Sequence, residues 1–224
     1  MIIKNNMIPK TVEQKHPWIA LDEIAPFLPK NPVIVEAGAH TGKDTLRLKK
    51  YWPESTIHTF EPIPELYEQL VEKTKDVSNV FCYQQALSDE TGTSQMHIST
   101  GRTSACSSLL PPHSSLTQER PDIIFQNTIS VHTTTLHAWA EKQNITHIDF
   151  LWLDLQGAEL QALQGATQLL TTVKAIHSEI NEAERYIGGT LYSELKNFLE
   201  THRFYVHIKG LYAYKWGNAL FVRL

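Results

Sequence analysis

The chain has 224 residues, 42% of them hydrophobic, and its 20 Lys and Arg against 24 Asp and Glu give a formal net charge of −4. This composition is typical of a globular protein, and the mild acidity gives no reason to expect nucleic acid or an anionic membrane as the main partner. The sequence has two cysteines, no apolar run long enough to span a bilayer and no secretory leader pattern. We therefore expect a cytoplasmic protein without a disulfide framework.

The first half of the chain alternates between strand and helix patterns. Residues 1–31 contain four prolines and are predicted to be an irregular lead-in with one short helix. From residue 32 onward we predict one domain. Strands are predicted at "PVIVEAG", "STIHTFEP" and "NVFCYQQAL", separated by helices at "GKDTLRLKKYW" and "PELYEQLVEKTKD". This β-α-β-α-β order indicates a parallel, doubly wound sheet.

The alternation is interrupted by a Ser- and Pro-rich insert at about residues 100–128, preceded by a short predicted strand in "DETGTSQMHIST". Polar loops of this length are often lids or substrate loops, although a disordered insert is an equal alternative. A strand and helix follow in "NTISVHTTTLHAWAEKQN", and regular alternation resumes at "HIDFLWLDL". The last two strands, "FYVHIKGLYAY" and "GNALFVRL", predict a closing antiparallel hairpin.

The loop after the first strand, "EAGAHTGKDT", carries the first chemical signal. A phosphate-binding Walker loop needs GxxxxGK followed by Ser or Thr, whereas here the spacing from Gly38 to Gly42 is one residue short and Asp44 occupies the hydroxyl position. The dinucleotide pattern GxGxxG needs glycines where the chain has His40 and Lys43. Neither phosphate-binding pattern is therefore complete.

Acidic residues end the first two strands. Glu36 precedes the glycine loop, and Glu61 ends the second strand 23 residues after Gly38, where an acid can hold the two ribose hydroxyls of a nucleoside. A carboxylate beside a pyrophosphate is unfavourable, but beside a cationic ligand it is favourable. The pattern favours S-adenosylmethionine, which has a sulfonium, an ammonium and no phosphate, over NAD.

At this point the sequence resembles a known family. The segments "VIVEAGAHTG", "HTFEPIPELYEQL", "QQALSDETGT", "SSL" and "IDFLWLDLQGAELQALQGA" are similar to the motifs of FkbM-type S-adenosylmethionine-dependent methyltransferases, from about residue 33 to the C-terminus. The resemblance implies a class I methyltransferase fold, which is α/β and Rossmann-like: a seven-stranded, mostly parallel sheet with an antiparallel last strand and helices on both faces. One departure is visible, because Gln156 stands where the family often has Glu.

The resemblance also implies the residues of a cofactor site. The methionine part of the cofactor would be surrounded by residues of the first strand and loop, namely Glu36, Gly38, His40, Thr41 and Gly42. The nucleoside would be held by residues at the ends of the second and third strands, namely Glu61, Pro62, Ala86 and Leu87. All these positions lie at carboxyl ends of strands, where open α/β sheets bind ligands.

Candidate catalytic residues end the fourth and fifth strands of the alternating pattern. Asp154 follows five mostly apolar residues, and "IHSEIN" places His177 and Glu179 on one strand face. Asp154 is predicted to act as base or to hold the cofactor's ammonium, and His177 is predicted as a base oriented by Glu179. A divalent metal on Asp154 and Glu179 is ranked below a metal-free site, because the hard-cation ligand set is incomplete in the sequence.

The remaining predictions concern the acceptor. Ser107 and Ser108 match the family's "SSL" and are predicted to touch cofactor or acceptor, with a turn role almost equally favoured. The resulting hypothesis is methyl transfer to a hydroxyl of a carbohydrate or small natural product, with no nucleic acid and no membrane as partner. An NAD-dependent oxidoreductase and a non-catalytic nucleoside-binding module of the same fold are the alternatives. No sequence feature indicates an oligomeric state.

Overall fold

The computed structural model describes residues 10–212 and 215–224. Residues 1–9 of the predicted lead-in and residues 213–214 of the predicted hairpin lie outside this range. The first elements are β1 (Val12–Gln14), α1 (Leu21–Ile24), a 3-10 turn (Ala25–Phe27), β2 (Val33–Ala37), α2 (Lys43–Tyr51), β3 (Thr56–Phe60), α3 (Pro64–Thr74), β4 (Val80–Tyr83) and β5 (Ala86–Leu87). They are followed by β6 (Gly92–Gly101), α4 (Ser114–Glu119), β7 (Ile123–Thr134), α5 (Leu136–Gln143), β8 (Phe150–Leu153), α6 (Glu159–Gln164), a 3-10 turn (Leu169–Thr171), β9 (Ala175–Asn181), α7 (Tyr192–Thr201), β10 (Phe204–Leu211) and β11 (Trp216–Arg223).

The main sheet has the predicted α/β architecture. Among the described residues, its strand order is β1-β10-β11-β9-β8-β2-β3-β4, and β2, β3, β4, β8 and β9 pair in parallel. The last strand, β11, is antiparallel to both of its neighbours, as the resemblance implied. The sheet has eight strands rather than seven, because β1 from the lead-in pairs in parallel with the edge strand β10.

A smaller sheet, in the order β5-β7-β6, stands beside the main one. The predicted third strand is divided: β4 pairs with β3 as far as Tyr83, whereas Ala86 and Leu87 pair with β7. The short strand predicted near residue 95 is the ten-residue β6, which forms a long antiparallel ladder with β7. The Ser- and Pro-rich segment thus connects two paired strands through the serine loop (residues 102–113) and α4.

The main sheet is buried on both faces, which explains the continuous apolar runs of its parallel strands. One face packs against α5, α6 and α7 through side chains such as Leu151, Ile176 and Leu199. The other face packs against α1 and α2 through side chains such as Ile34, Leu48 and Phe150. Both faces are therefore closed, and the carboxyl-terminal edge of the parallel strands carries the polar residues.

The turn after β2 requires glycine at position 38. Gly38 has φ of +88°, and a Cβ there would lie 1.9 Å from the backbone oxygen of Asp154. The close approach of two backbones and the left-handed conformation both exclude a side chain.

Gly38→Ala is expected to lower the free energy of unfolding by about 3 kcal/mol or more, because it combines overpacking with a strained φ. Gly92→Ala is the matched control, since a Cβ at Gly92 meets nothing within 4 Å. Urea denaturation of both variants measures the difference. Equal stability of the two variants would show that the β2 turn tolerates a side chain.

Candidate active site

A cavity of about 230 Å³ opens at the carboxyl ends of β2, β3 and β8. Its lining includes most of the predicted site residues, which are Gly38, His40, Glu61, Pro62, Ala86, Leu87, Ser107, Ser108 and Asp154. Further apolar lining comes from Phe60, Ile63, Leu66, Met96 and Leu109. The cavity therefore has an apolar wall, and two acidic side chains, Glu61 and Asp154, project from strand ends.

Glu61 is fixed by the backbone of two neighbouring turns. Its Oε2 accepts the N–H of His40 at 2.8 Å and its Oε1 accepts the N–H of Ile63 at 2.9 Å. Burial raises the pKa of Glu61 to about 7, against the lowering effect of these two hydrogen bonds. Each carboxylate oxygen keeps a second lone pair, so the side chain can still accept two hydroxyl donors.

The glycine loop (residues 38–42) contacts the serine loop through a side-chain hydrogen bond. His40 has φ of +51°, and its Nε2 lies 2.8 Å from the Ser104 hydroxyl. Burial, followed by the charge of Lys73, lowers the pKa of His40. Thr41 and Gly42 immediately precede α2, with Gly42 as its N-cap, and are not among the described residues that line the cavity.

Glu36 lies beneath the loop rather than in the cavity lining formed by the described residues. Its Oε2 accepts hydrogen bonds from the hydroxyls of Thr45, at 2.5 Å, and Thr59, at 2.8 Å. It is 1% exposed, and burial raises its pKa to about 7. In this structure Glu36 connects β2 to β3 and α2, the elements on either side of the turn that lines the cavity.

Glu36→Gln is expected to change how stability depends on pH. The Glu36 carboxyl keeps its proton up to about pH 7 in the folded state but only up to about pH 4.5 in the unfolded chain. The free energy of unfolding of the wild type therefore falls as pH rises between these two values. Glutamine does not titrate, and its single oxygen can accept both hydroxyls. The Tm of the variant relative to wild type should therefore rise from pH 5 to pH 8. The rise should be at least about 2–4 °C for each kcal/mol of unfolding free energy that the wild type loses over this range.

Thermal scans across this pH range, with Glu90→Gln at an exposed position as control for the change in net charge, measure this dependence. A difference in Tm that is constant with pH would contradict a buried, proton-holding Glu36.

Asp154 and Glu179 meet at one amide. The side-chain Nε2 of Gln156 donates to Asp154 Oδ1 at 2.6 Å and to Glu179 Oε2 at 2.5 Å, while Gln156 Oε1 accepts the hydroxyl of Tyr186 at 2.8 Å. Burial raises the pKa of Asp154. It also raises that of Glu179 well above its usual range, with the charge of Asp154 as the next cause. Asp154 itself is open to the cavity, whereas Glu179 is 6% exposed.

Sequence reasoning missed Tyr186 and treated Gln156 only as a departure from the family. Tyr186 follows β9 in an irregular segment, and no periodicity marks it as buried, yet it is 1% exposed. The one sequence signal for this turn was Gly157. Gln156 has φ of +53° and Gly157 has φ of +100°, and glycine allows such a sharp turn after β8.

The structure does not bring His177 to the cavity lining formed by the described residues. Its ring stacks on the indole of Trp152, with centroids 3.7 Å apart, and Nδ1 has no hydrogen-bond partner within the described part of the chain. Burial, with a smaller contribution from the charge of Arg47, lowers the pKa of His177 to about 3. A neutral ring held against Trp152 is unsuited to take a proton from a group in the cavity, although β9 does place it on the same face as Glu179.

The serine hydroxyls are engaged within the protein. Ser107 Oγ donates to Ser104 O at 2.9 Å and accepts the N–H of Ser99, and Ser108 Oγ donates to Gln156 O at 2.9 Å. Ser108 also accepts the N–H of Leu110. Both residues line the cavity; the Ser107 hydroxyl holds the serine loop against β6, and the Ser108 hydroxyl holds it against the turn after β8.

The model of the methyltransferase FkbM domain matches residues 36–206, which is most of the chain and includes every strand-end acid described above. The chain belongs to the FkbM methyltransferase family. Two curated relatives are 2-O-methyltransferase NoeI of Sinorhizobium fredii (strain NBRC 101917 / NGR234) and methyltransferase sdnD of Sordaria araneosa. The first is 30% identical over 163 residues (70% of this chain, 67% of the relative), and the second is 26% identical over 170 residues (63% and 62%).

Solved structures show the same fold. The crystal structure of methyltransferase FkbM from Methylobacillus flagellatus KT has a TM-score of 0.57 at 14% identity, and covers 86% of this chain and 44% of its own. A methyltransferase structure from Streptococcus mutans in complex with SAH has a TM-score of 0.53 at 12% identity, and covers 91% and 94%. The present chain thus spans less than half of the length of the Methylobacillus chain and about two thirds of the length of the two curated relatives.

The described residues contain no group of three or more His, Cys, Asp or Glu side chains that could hold a metal ion. Within the same residues, every helix is too short or too polar to cross a lipid bilayer.

Proposed function

We propose that this methyltransferase uses S-adenosylmethionine to methylate a hydroxyl of a carbohydrate or small natural product. The observation that carries the proposal is the cavity, in which the carboxylates of Glu61 and Asp154 project from the ends of β3 and β8 beside an apolar wall. A nucleoside with a cationic tail matches this combination of carboxylates and apolar surface.

The residues fit the parts of this cofactor. Glu61 would accept the ribose hydroxyls, and the apolar side chains of Leu66 and Leu87 would contact the adenine. The loop from Gly38 to His40 and the carboxylate of Asp154 would surround the methionine part. When bound, S-adenosylmethionine supplies an activated methyl group on a sulfonium.

The residues at the other side of the cavity support a hydroxyl as acceptor. A hydroxyl is a poor nucleophile at neutral pH, so a base within hydrogen-bonding reach assists its attack. Asp154 faces the cavity, and the loss of solvation around its recessed carboxylate raises its pKa, which makes it a better proton acceptor than an ordinary carboxylate. The relative NoeI, named a 2-O-methyltransferase, supports oxygen as the methylated atom.

Incubation of the purified chain with methyl-labelled S-adenosylmethionine and a panel of oligosaccharides and hydroxylated small molecules tests the proposal. We expect label in a methyl ether, identified by mass spectrometry. Label on nitrogen or carbon would contradict O-methylation. Binding of S-adenosylmethionine without transfer to any acceptor, together with unchanged binding in Asp154→Asn, would instead favour a non-catalytic nucleoside-binding module.

A further inference from the structure

We propose that Gln156 is a positioning residue, whose side-chain amide holds the Asp154 and Glu179 carboxylates together as a pair that keeps one proton and presents Asp154 to the acceptor. The proposal rests on the proposed function, and it assigns a purpose to the residue that departs from the family's usual Glu.

The geometry of the amide carries the proposal. Both carboxylates lie within hydrogen-bonding distance of the same nitrogen, at 2.6 Å from Asp154 and 2.5 Å from Glu179. The ionised member of the pair has no hydrogen to donate, so the amide must present its NH2 group to that carboxylate. The amide oxygen then faces the Tyr186 hydroxyl at 2.8 Å, and the single hydrogen of that hydroxyl has the Cys106 carbonyl oxygen, at 2.9 Å, as its other acceptor.

The backbone of Gln156 is fixed as well. Its carbonyl oxygen accepts the Ser108 hydroxyl at 2.9 Å, and its φ of +53° is maintained in the turn before Gly157. The backbone and side chain of one residue therefore connect β8, β9, the serine loop and the segment of Tyr186. A strained backbone conformation that several contacts maintain is typical of functional sites.

Two carboxylates this close do not both ionise readily, so one proton is shared between them. The amide supplies two N–H donors and takes no proton itself, whereas a Glu at this position could donate only while protonated. The elements packed around the pair contribute other charged or titratable groups that act on it. These are His40, Asp44, Cys106, Glu159, Arg185 and Tyr186. The pair is thus a single proton acceptor, and the hydrogen bonds from Gln156 hold its two carboxylates in place.

In the transfer, the O–H bond of the acceptor breaks and its proton passes to Asp154, the new O–C bond forms, and the C–S bond breaks with its electron pair remaining on sulfur. The pair then holds two protons and releases one to solvent through the open side of Asp154.

The test compares wild type, Gln156→Met and Gln156→Glu, with Gln126→Met at an exposed position of β7 as matched control. Carboxyl 13C NMR titration of the ligand-free protein is the first readout, and the pH dependence of kcat is the second. Wild type should show two coupled titrations for Asp154 and Glu179. Both Gln156 variants should raise the pKa of Asp154 and move the acidic limb of kcat upward by about one to two pH units, as loss of a hydrogen bond to a charged group implies.

Independent titration of Asp154 and Glu179 in wild type, or a Gln156→Glu variant that titrates as wild type does, would overturn the proposal. The titration needs neither cofactor nor acceptor, so its outcome is separate from that of the proposed function. A protein that transfers methyl groups but has uncoupled carboxyls would disprove only the pairing. If Gln156→Met fails to fold, the wild-type titration and the isosteric Gln156→Glu still decide the question.

Discussion

Asp154→Asn is expected to lower kcat for methyl transfer by about 10²–10⁴-fold, the contribution that a positioned general base makes to a proton transfer. Asparagine keeps the size of the side chain and its contact with Gln156 but cannot take the acceptor's proton. Its amide is uncharged and so avoids the desolvation that raises the pKa of Asp154, and the variant should unfold at the same or a higher temperature than wild type.

Single-turnover kinetics with saturating cofactor measure this loss, and Asp89→Asn at an exposed turn is the control. The alternative role of Asp154, holding the cofactor's ammonium, predicts a different pattern: a weaker Kd for S-adenosylmethionine with kcat near wild type at saturation. That pattern would contradict the assignment of Asp154 as base.

Glu61→Ala is expected to weaken S-adenosylmethionine binding by about tenfold or more, because each hydrogen bond to a charged group contributes about 1.5–3 kcal/mol. The variant also leaves the N–H groups of His40 and Ile63 without their acceptor. An unpaired buried donor costs about 1–3 kcal/mol, so the free energy of unfolding should fall as well.

The control is Glu65→Ala, which removes an exposed acid from the first turn of α3, four residues from Glu61. Calorimetric titration gives the change in Kd and urea denaturation gives the change in stability. A stable Glu61→Ala variant with wild-type affinity would remove Glu61 from the cofactor site. Reduced stability with unchanged affinity would assign it a structural role only.

The position of the cavity could be predicted from the sequence because the pattern of residues shows where each strand ends. The predicted strands stop at Ala37, Phe60 and Leu153, and parallel strands place their carboxyl ends at one edge of the sheet. Glu61 and Asp154 follow two of these stops, so their convergence on the cavity follows from topology alone.

Other features depend on contacts that no local pattern encodes. The three residues of β1 form a strand only because β10 offers an unpaired edge. His177 shares a strand face with Glu179, but the indole of Trp152 holds its ring away from the cavity lining. The four-way contact of Gln156 depends on a left-handed turn and on Tyr186, 30 residues further along the chain.

The most direct test of the account is calorimetric titration of the purified chain with S-adenosylmethionine, S-adenosylhomocysteine and NAD. We expect both sulfur nucleosides to bind and NAD not to bind, because the cavity offers carboxylates to a cation and lacks the glycines that admit a pyrophosphate. Failure of both sulfur nucleosides to bind, or binding of NAD in their place, would contradict it.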